Sequence, residues 1–317
     1  MSERARKKLD RRDAGALAVL LVLTCLFGPY LWGWLRLACA DSLSSHLPLI
    51  PLISIYLIWT QREPRLTHRR HPDILTAVIF VSAAVLCLVI SRVYIRPMAG
   101  LSRADALALP MLSYVFFLYA GVAIFYGRYA FKKYLFPLFF LLLMVPMPSV
   151  MEARWSTFLE LASAEAFHLL LVVTRNPFFR DGIVFHLPGL TLNVAPECSG
   201  IRSTLVLFIT SLLLAHLVLP RPWQKVVLVL LVLPIGIARN AFRILAIAML
   251  TIHIDKGVIE GPLHHRGGPL FFMLALAVLF AAAFGLLAAE KWWRRDRAKT
   301  GSRETAVSRE NEETTDD

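Results

Sequence analysis

Three short blocks of this chain carry side chains that could act together on a carbonyl. The first is APECSGIRS, residues 195–203, where Cys198 stands between Glu197 and Ser199 as a polar segment gives way to a long apolar run. If that run is helical, the thiol lies at its N-terminus. There the helix dipole and free N–H groups favour an anion and lower a thiol pKa. Such a thiol is a candidate nucleophile; the plainer reading is a small residue capping a membrane helix. The second block is GIARNAFRI, within the apolar run 224–250. Arg239 and Arg243 are four apart and share a helix face, with Asn240 beside the first. An arginine inside a span costs about 2.5–3.5 kcal/mol on the insertion scale, so the pair should face a polar cavity or a partner. A salt bridge to Glu160 or Glu165 is the structural alternative. The third block, TIHIDKGVIEGPLHHRGGPLFF, offers His253, His264 and His265 beside the last apolar run. A thiol, a base and a fixed cation are what acyl transfer to cysteine needs. The base takes the thiol proton and later delivers it to the leaving amine, while the cation or an N–H group holds the developing oxyanion.

The elements that must position these residues are membrane helices. The chain has 317 residues, 57% of them hydrophobic, with a mean hydropathy of +0.61, which excludes an ordinary soluble domain. Apolar runs cover 14–35, 47–60, 73–92, 106–126, 134–147, 155–173, 200–219, 224–250 and 269–289. The net charge is +12, and 22 of the 34 Lys and Arg lie in MSERARKKLDRRD, in the connections 61–72, 127–134 and 220–225, and after residue 290, where a basic stretch is followed by an acidic one. Beside membrane spans such clusters read as a positive-inside signal and not as a nucleic-acid interface. Both termini are therefore expected in the cytoplasm, with the first run retained as a span and not removed as a signal peptide. An even number of crossings follows. The run 155–173 is set aside, because polar residues at 152, 156, 160 and 163 line one helix face, as in a helix lying on the outer surface.

The expectation is an all-α polytopic membrane protein of about eight transmembrane helices, with an amphipathic outer-face helix and a short β-hairpin before Cys198. The hairpin is read from alternating Ile183, Phe185, Leu187 and Leu190, Leu192, Val194 about a Pro-Gly pair. Residues 1–13 form a basic cytoplasmic tail, 14–290 the multi-span catalytic domain and 291–317 a cytoplasmic, disordered tail. Parity puts Cys198 and the histidine loop on the extracytoplasmic side. The four cysteines show no CxxC and no metal-like spacing, and Cys25 and Cys87 read as packing residues. There is no phosphate-binding glycine loop or haem motif, so no cofactor and no metal is expected.

ECSGIRS followed by RNAFRI and HHRGGPLFF resembles the exosortase/archaeosortase family of polytopic cysteine transpeptidases. Ser45–His46 before LPLIPLISIYLIW, and PLFFLLLMVPMP before the amphipathic helix, fit the likeness, which runs from about residue 30 to 290. The resemblance implies a sortase-like reaction inside the membrane. Its substrates are exported proteins with a C-terminal sorting signal: a short motif such as Pro-Glu-Pro, one transmembrane helix and a basic cluster. It implies Cys198 as nucleophile, Arg239 as the first arginine of RNxxR with Arg243 the second, and His264 as the base, with Gly268 and Phe272 following it. His265 is the second choice. Pro269 stands where the family often has a bulkier residue. Glu197 and Ser199 are read as supporting or capping residues, and His46 as shaping the substrate entrance. The setting implied is the inner membrane, with lipid around the protein. The rival readings are a transporter or lipid-linked transferase using Arg239 and Arg243 to bind an anion, and a non-catalytic scaffold.

Overall fold

Prolines and glycines decide where the apolar runs break. The computed structural model describes residues 3–61, 71–95, 100–194, 200–253 and 268–313. Its contacts divide the chain into two compact units, Met1–Arg154 and Trp155–Asp317.

In the first unit, α1 (Glu3–Leu26) and α2 (Gly28–Ala40) meet at a 69° bend, where Pro29 can donate no hydrogen bond to the preceding turn. α3 (Leu49–Thr60) packs against α6 (Leu135–Leu141), which a 3-10 turn extends to Met144. α4 (Ile74–Ile90) ends in a π turn, Ser91–Ile95, and lies along α5 (Arg103–Lys133). Buried Ala77, Ala84, Ala120 and Ala123 let α4 and α5 approach, and Ser113 Oγ donates to the Ala84 carbonyl at 2.8 Å. α5 is interrupted at Gly127, φ +74°, where an added Cβ would fall 2.0 Å from the His71 carbonyl oxygen. Only glycine fits there.

The second unit begins within α7 (Ser149–Val173) and continues with β1 (Phe179–Asp181), β2 (Val184–Leu187) and β3 (Leu190–Asn193). Then come α8 (Ile201–Val218), α9 (Pro222–Leu230), α10 (Val232–His253) and α11 (Gly268–Glu313). The expected hairpin is present about Pro188–Gly189 with Leu187 opposite Leu190, and β1 adds a third antiparallel strand. Its alternating apolar residues lie on one packed face: Phe185, Leu187 and Val194 join Phe167 and Leu171 of α7 and Ile244 and Leu245 of α10. A second core joins α8, α9 and α10 to α11, whose Phe271, Ala275, Leu279 and Ala283 recur every four residues on its buried side.

The protein is all-α and polytopic, with large apolar side chains on its exterior. Among the described residues, six helices are long and apolar enough to cross a membrane, and up to seven if the bent α1–α2 pair is one span. The count differs from eight for local reasons. Runs 47–60 and 134–147 yield helices of 12 and 10 residues, the first starting after Pro48 and the second stopping before Pro146, and both short of the roughly 20 needed. Conversely α7, expected on the outer face, has the length and hydropathy of a crossing helix. Helical structure also passes through both expected tail boundaries, since α1 starts at Glu3 and α11 continues to Glu313. Cys25, Cys39 and Cys87 are free; Cys25, expected as a packing residue, is exposed on the outside of α1.

Candidate active site

α10 carries its charged block on an otherwise apolar helix, and the packing of that helix fixes where the charges go. Gly236 and Asn240 are four residues apart, as are Gly200 and Thr204 at the start of α8. The two helices meet antiparallel through these positions. A Cβ on Gly236 would lie 2.9 Å from Thr204 Oγ1, and one on Gly200 would lie 2.6 Å from Arg239 Nη2 and 3.2 Å from Asn240 Oδ1. Gly200 is also the N-cap of α8 with φ +70°, a left-handed conformation that side chains other than glycine rarely adopt. Backbone and space make the same demand at this residue.

Asn240 is 1% exposed and donates from Nδ2 to Ser163 Oγ of α7 at 3.0 Å. Arg239 is 8% exposed, and its Nε and Nη2 have no hydrogen-bond partner among the described residues. Buried guanidinium donors without acceptors are costly, so this group is suited to receive an oxygen-bearing ligand. Arg243, one turn further along α10, is half-buried. Between them, Phe242 meets Phe271 of α11 edge-on with ring centroids 6.1 Å apart, which brings the start of α11 to the level of the arginine pair.

The acids considered as alternative partners behave differently from each other. Glu165 is engaged elsewhere: Arg180 of β1 donates to its two carboxylate oxygens at 2.5 and 3.0 Å and lies over the Phe185 ring, fastening the sheet to α7. That carboxylate in turn holds the Arg180 pKa above its ordinary value. Glu160 is 8% exposed and forms no hydrogen bond or ion pair with Arg239 or with any other described residue.

Arg239, Asn240 and Arg243 are thus together on α10, with Gly200 against the first two. His46 belongs to the first unit, in the 41–48 turn, where its Nδ1 lies 2.8 Å from the Leu43 carbonyl oxygen and burial lowers its pKa. His253 is the exposed last residue of α10. Cys198, Glu197, Ser199, His264 and His265 lie outside the described residues. Sequence reasoning missed Gly200, Thr204 and Gly236 as contact positions, and Ser163 as the partner of Asn240. The signal available was the matched four-residue spacing of small residues ahead of RNxxR. Among the described residues no group of three or more His, Cys, Asp or Glu could hold a metal ion.

A family model described as transmembrane exosortase matches residues 34–281, taking in the whole span from Cys198 through the arginines to the histidine loop. The chain belongs to the transmembrane exosortase family. Exosortases are membrane sorting enzymes of the protease and transpeptidase type that act on exported proteins bearing C-terminal sorting signals, and at that level the function follows from membership. No curated protein and no solved structure matches the chain. The close approach of Gly200 to Arg239 and Asn240 therefore joins two blocks that the exosortase match covers as one domain.

Proposed function

We propose that this exosortase is a cysteine transpeptidase that cleaves the C-terminal sorting signal of exported proteins through a thioester and passes the released acyl group to an acceptor. The observation that carries the reading is the seating of Gly200 against Arg239 and Asn240. Gly200 follows Cys198 by two residues, so the covalent chain keeps their Cα atoms within roughly 7 Å. Arg239 offers two buried donors with no acceptor among the described residues, which suits the oxyanion of a tetrahedral intermediate. The same charge would also favour the thiolate.

In this reading Cys198 attacks the substrate carbonyl, and His264 takes the thiol proton. Collapse of the intermediate breaks the C–N bond, the leaving amine takes that proton from His264, and the acyl group remains on sulfur. Arg243 and Asn240 stand beside Arg239 as supporting residues, Glu197 and Ser199 support the thiol, and His265 is the reserve base. The substrate signal comprises a Pro-Glu-Pro-like motif, a membrane helix and a basic cluster. The catalytic domain is 14–290, set in the inner membrane with the site on the extracytoplasmic side and both termini in the cytoplasm.

The test is cleavage of a tagged exported protein carrying such a signal, followed by gel shift. Cys198→Ala, Arg239→Ala and His264→Ala should abolish cleavage while His265→Ala retains it. Cleavage that survives Cys198→Ala would end the cysteine mechanism. A wild-type-like phenotype for Cys198→Ser with function lost only in the arginine variants would instead favour an anion transporter.

A further inference from the structure

The first unit carries an open apolar cavity of about 590 Å³. α1, α2 and α4 all pack on α5, and the 69° bend ahead of Pro29 turns α2 off the line of α1. The cavity is lined by Leu26, Phe27 and Tyr30 at that bend, by Val89 and Arg92 at the end of α4, and by Phe117 of α5. Phe27 is buried against Tyr30 and Phe117, so ring contacts hold this wall. Two polar side chains stand among the apolar ones. Arg92 is exposed and Tyr30 half-buried, and among the described residues neither makes a hydrogen bond or ion pair. The apolar stretch Ile74–Ile95 has 22 residues, about 33 Å at 1.5 Å each, against about 30 Å of hydrocarbon. Arg92, three residues from its end, therefore falls at the level of lipid headgroups, with Val89 about one turn deeper. An arginine at a helix end is by itself an ordinary interfacial anchor. This one shares an apolar cavity with a second hydrogen-bond donor.

We propose that the cavity binds an anionic phospholipid, with an acyl chain against Phe27, Val89 and Phe117 and the phosphodiester on Arg92 and the Tyr30 hydroxyl. Apolar walls at hydrocarbon depth are covered by lipid or by protein, since water is absent there. Size argues for an acyl chain. A helix is about 10–12 Å across with its side chains, so a single turn displaces roughly 400–600 Å³. The cavity has room for one turn of the roughly five in a membrane helix. Charge argues for an anionic headgroup. Guanidinium and phenol donate to phosphate oxygens, and no carboxylate lines the cavity to hold the ammonium of a zwitterionic lipid. The site lies wholly within the first unit and stands whether or not the thioester reading does.

The test is photocrosslinking of the full chain in discs of dioleoyl phosphatidylglycerol and dioleoyl phosphatidylcholine in equal parts, together with an exported protein carrying a sorting signal. A benzophenone side chain replaces Leu26, at the cavity, or Leu86, exposed on α4 but not in the cavity wall. Mass spectrometry identifies each adduct. The ratio of phosphatidylglycerol to phosphatidylcholine adducts should be about fivefold higher at 26 than at 86, the worth of one basic side chain at a membrane surface. Arg92→Gln should bring the two ratios together, and Arg92→Lys should keep most of the difference. Val89→Trp should fill the cavity and erase the difference as well. Equal ratios at 26 and 86 in the otherwise unchanged chain overturn the site, as does enrichment that survives Arg92→Gln or Val89→Trp. Adducts at 26 that are mainly a second copy or the exported protein assign the cavity to that chain and overturn the lipid. If Val89→Trp does not accumulate, Arg92→Gln, a change at an exposed residue, carries the decision.

Discussion

Replacing Gly200 by alanine tests the geometry of the site without touching a charged group. The new methyl group would start 2.6 Å from Arg239 Nη2, 3.2 Å from Asn240 Oδ1 and 3.3 Å from Asn240 Cγ. Ordinary contact needs about 3.5 Å, so the guanidinium has to retreat by roughly 1 Å. Asn240 is anchored through Ser163 and yields less easily. The left-handed backbone adds about 1–2 kcal/mol of strain for any side chain. A control removes the ambiguity between strain and displacement: Gly182, in the β1–β2 turn, has φ +59° but nothing within 4 Å of its added Cβ. Gly182→Ala should pay the same backbone cost and leave the site alone. In thermal unfolding of the detergent-solubilised protein Gly182→Ala should be destabilised by about 1–2 kcal/mol, and Gly200→Ala by at least that much. In the cleavage assay Gly200→Ala should lose about a hundredfold, the typical penalty for a catalytic group misplaced by 1 Å, while Gly182→Ala cleaves like wild type. Equal activity in the two variants, whether retained or lost, refutes the claim that Gly200 seats Arg239.

Ser163→Ala removes the Oγ acceptor of the Asn240 amide and should cost about 1–3 kcal/mol in denaturant unfolding; adding Asn240→Ala should cost much less than the sum of the singles, as in a coupled pair. Burial holds the His46 pKa below its ordinary value of 6.5, so the unfolded chain takes up this proton first as pH falls. Its contribution to stability is therefore complete above pH 6.5 and is lost as pH falls below it. His46→Gln should flatten the pH dependence of the unfolding midpoint over that window. Gly127→Ala should prevent accumulation of folded protein, because its Cβ would meet a backbone oxygen at 2.0 Å that no rotamer can move; membrane-fraction immunoblotting reads this directly.

Much of the site was legible as residue types and very little of it as neighbours. Two arginines and an asparagine in the middle of an apolar helix cannot face lipid, so the burial of Arg239 and Asn240 could be read from their position alone. The hairpin was legible too, since Phe185, Leu187 and Val194 alternate about a Pro-Gly pair and all turn up on the packed face. The partner of Glu165 was not. It is Arg180, fifteen residues on, and the sheet must form before that arginine can reach the carboxylate. Runs 47–60 and 134–147 form shorter helices than their hydropathy suggests because hydropathy ignores the prolines in and beside them, and the polar face of α7 was ambiguous because four polar residues describe a membrane surface and a packed helix–helix interface equally well.

The sequence by itself determined composition, helix periodicity and the chemistry on offer, since these depend only on side chains and their spacing along one axis. Tertiary structure decided which side chains meet. Gly200, Thr204, Gly236 and Asn240 are unremarkable singly; they become a contact because two antiparallel helices can approach closely only where both present small residues. Ser163 is one more serine of a polar face until α10 supplies a donor at 3.0 Å. Burial then does the rest: it leaves two donors of Arg239 without an acceptor among the described residues, and no one-dimensional pattern records that.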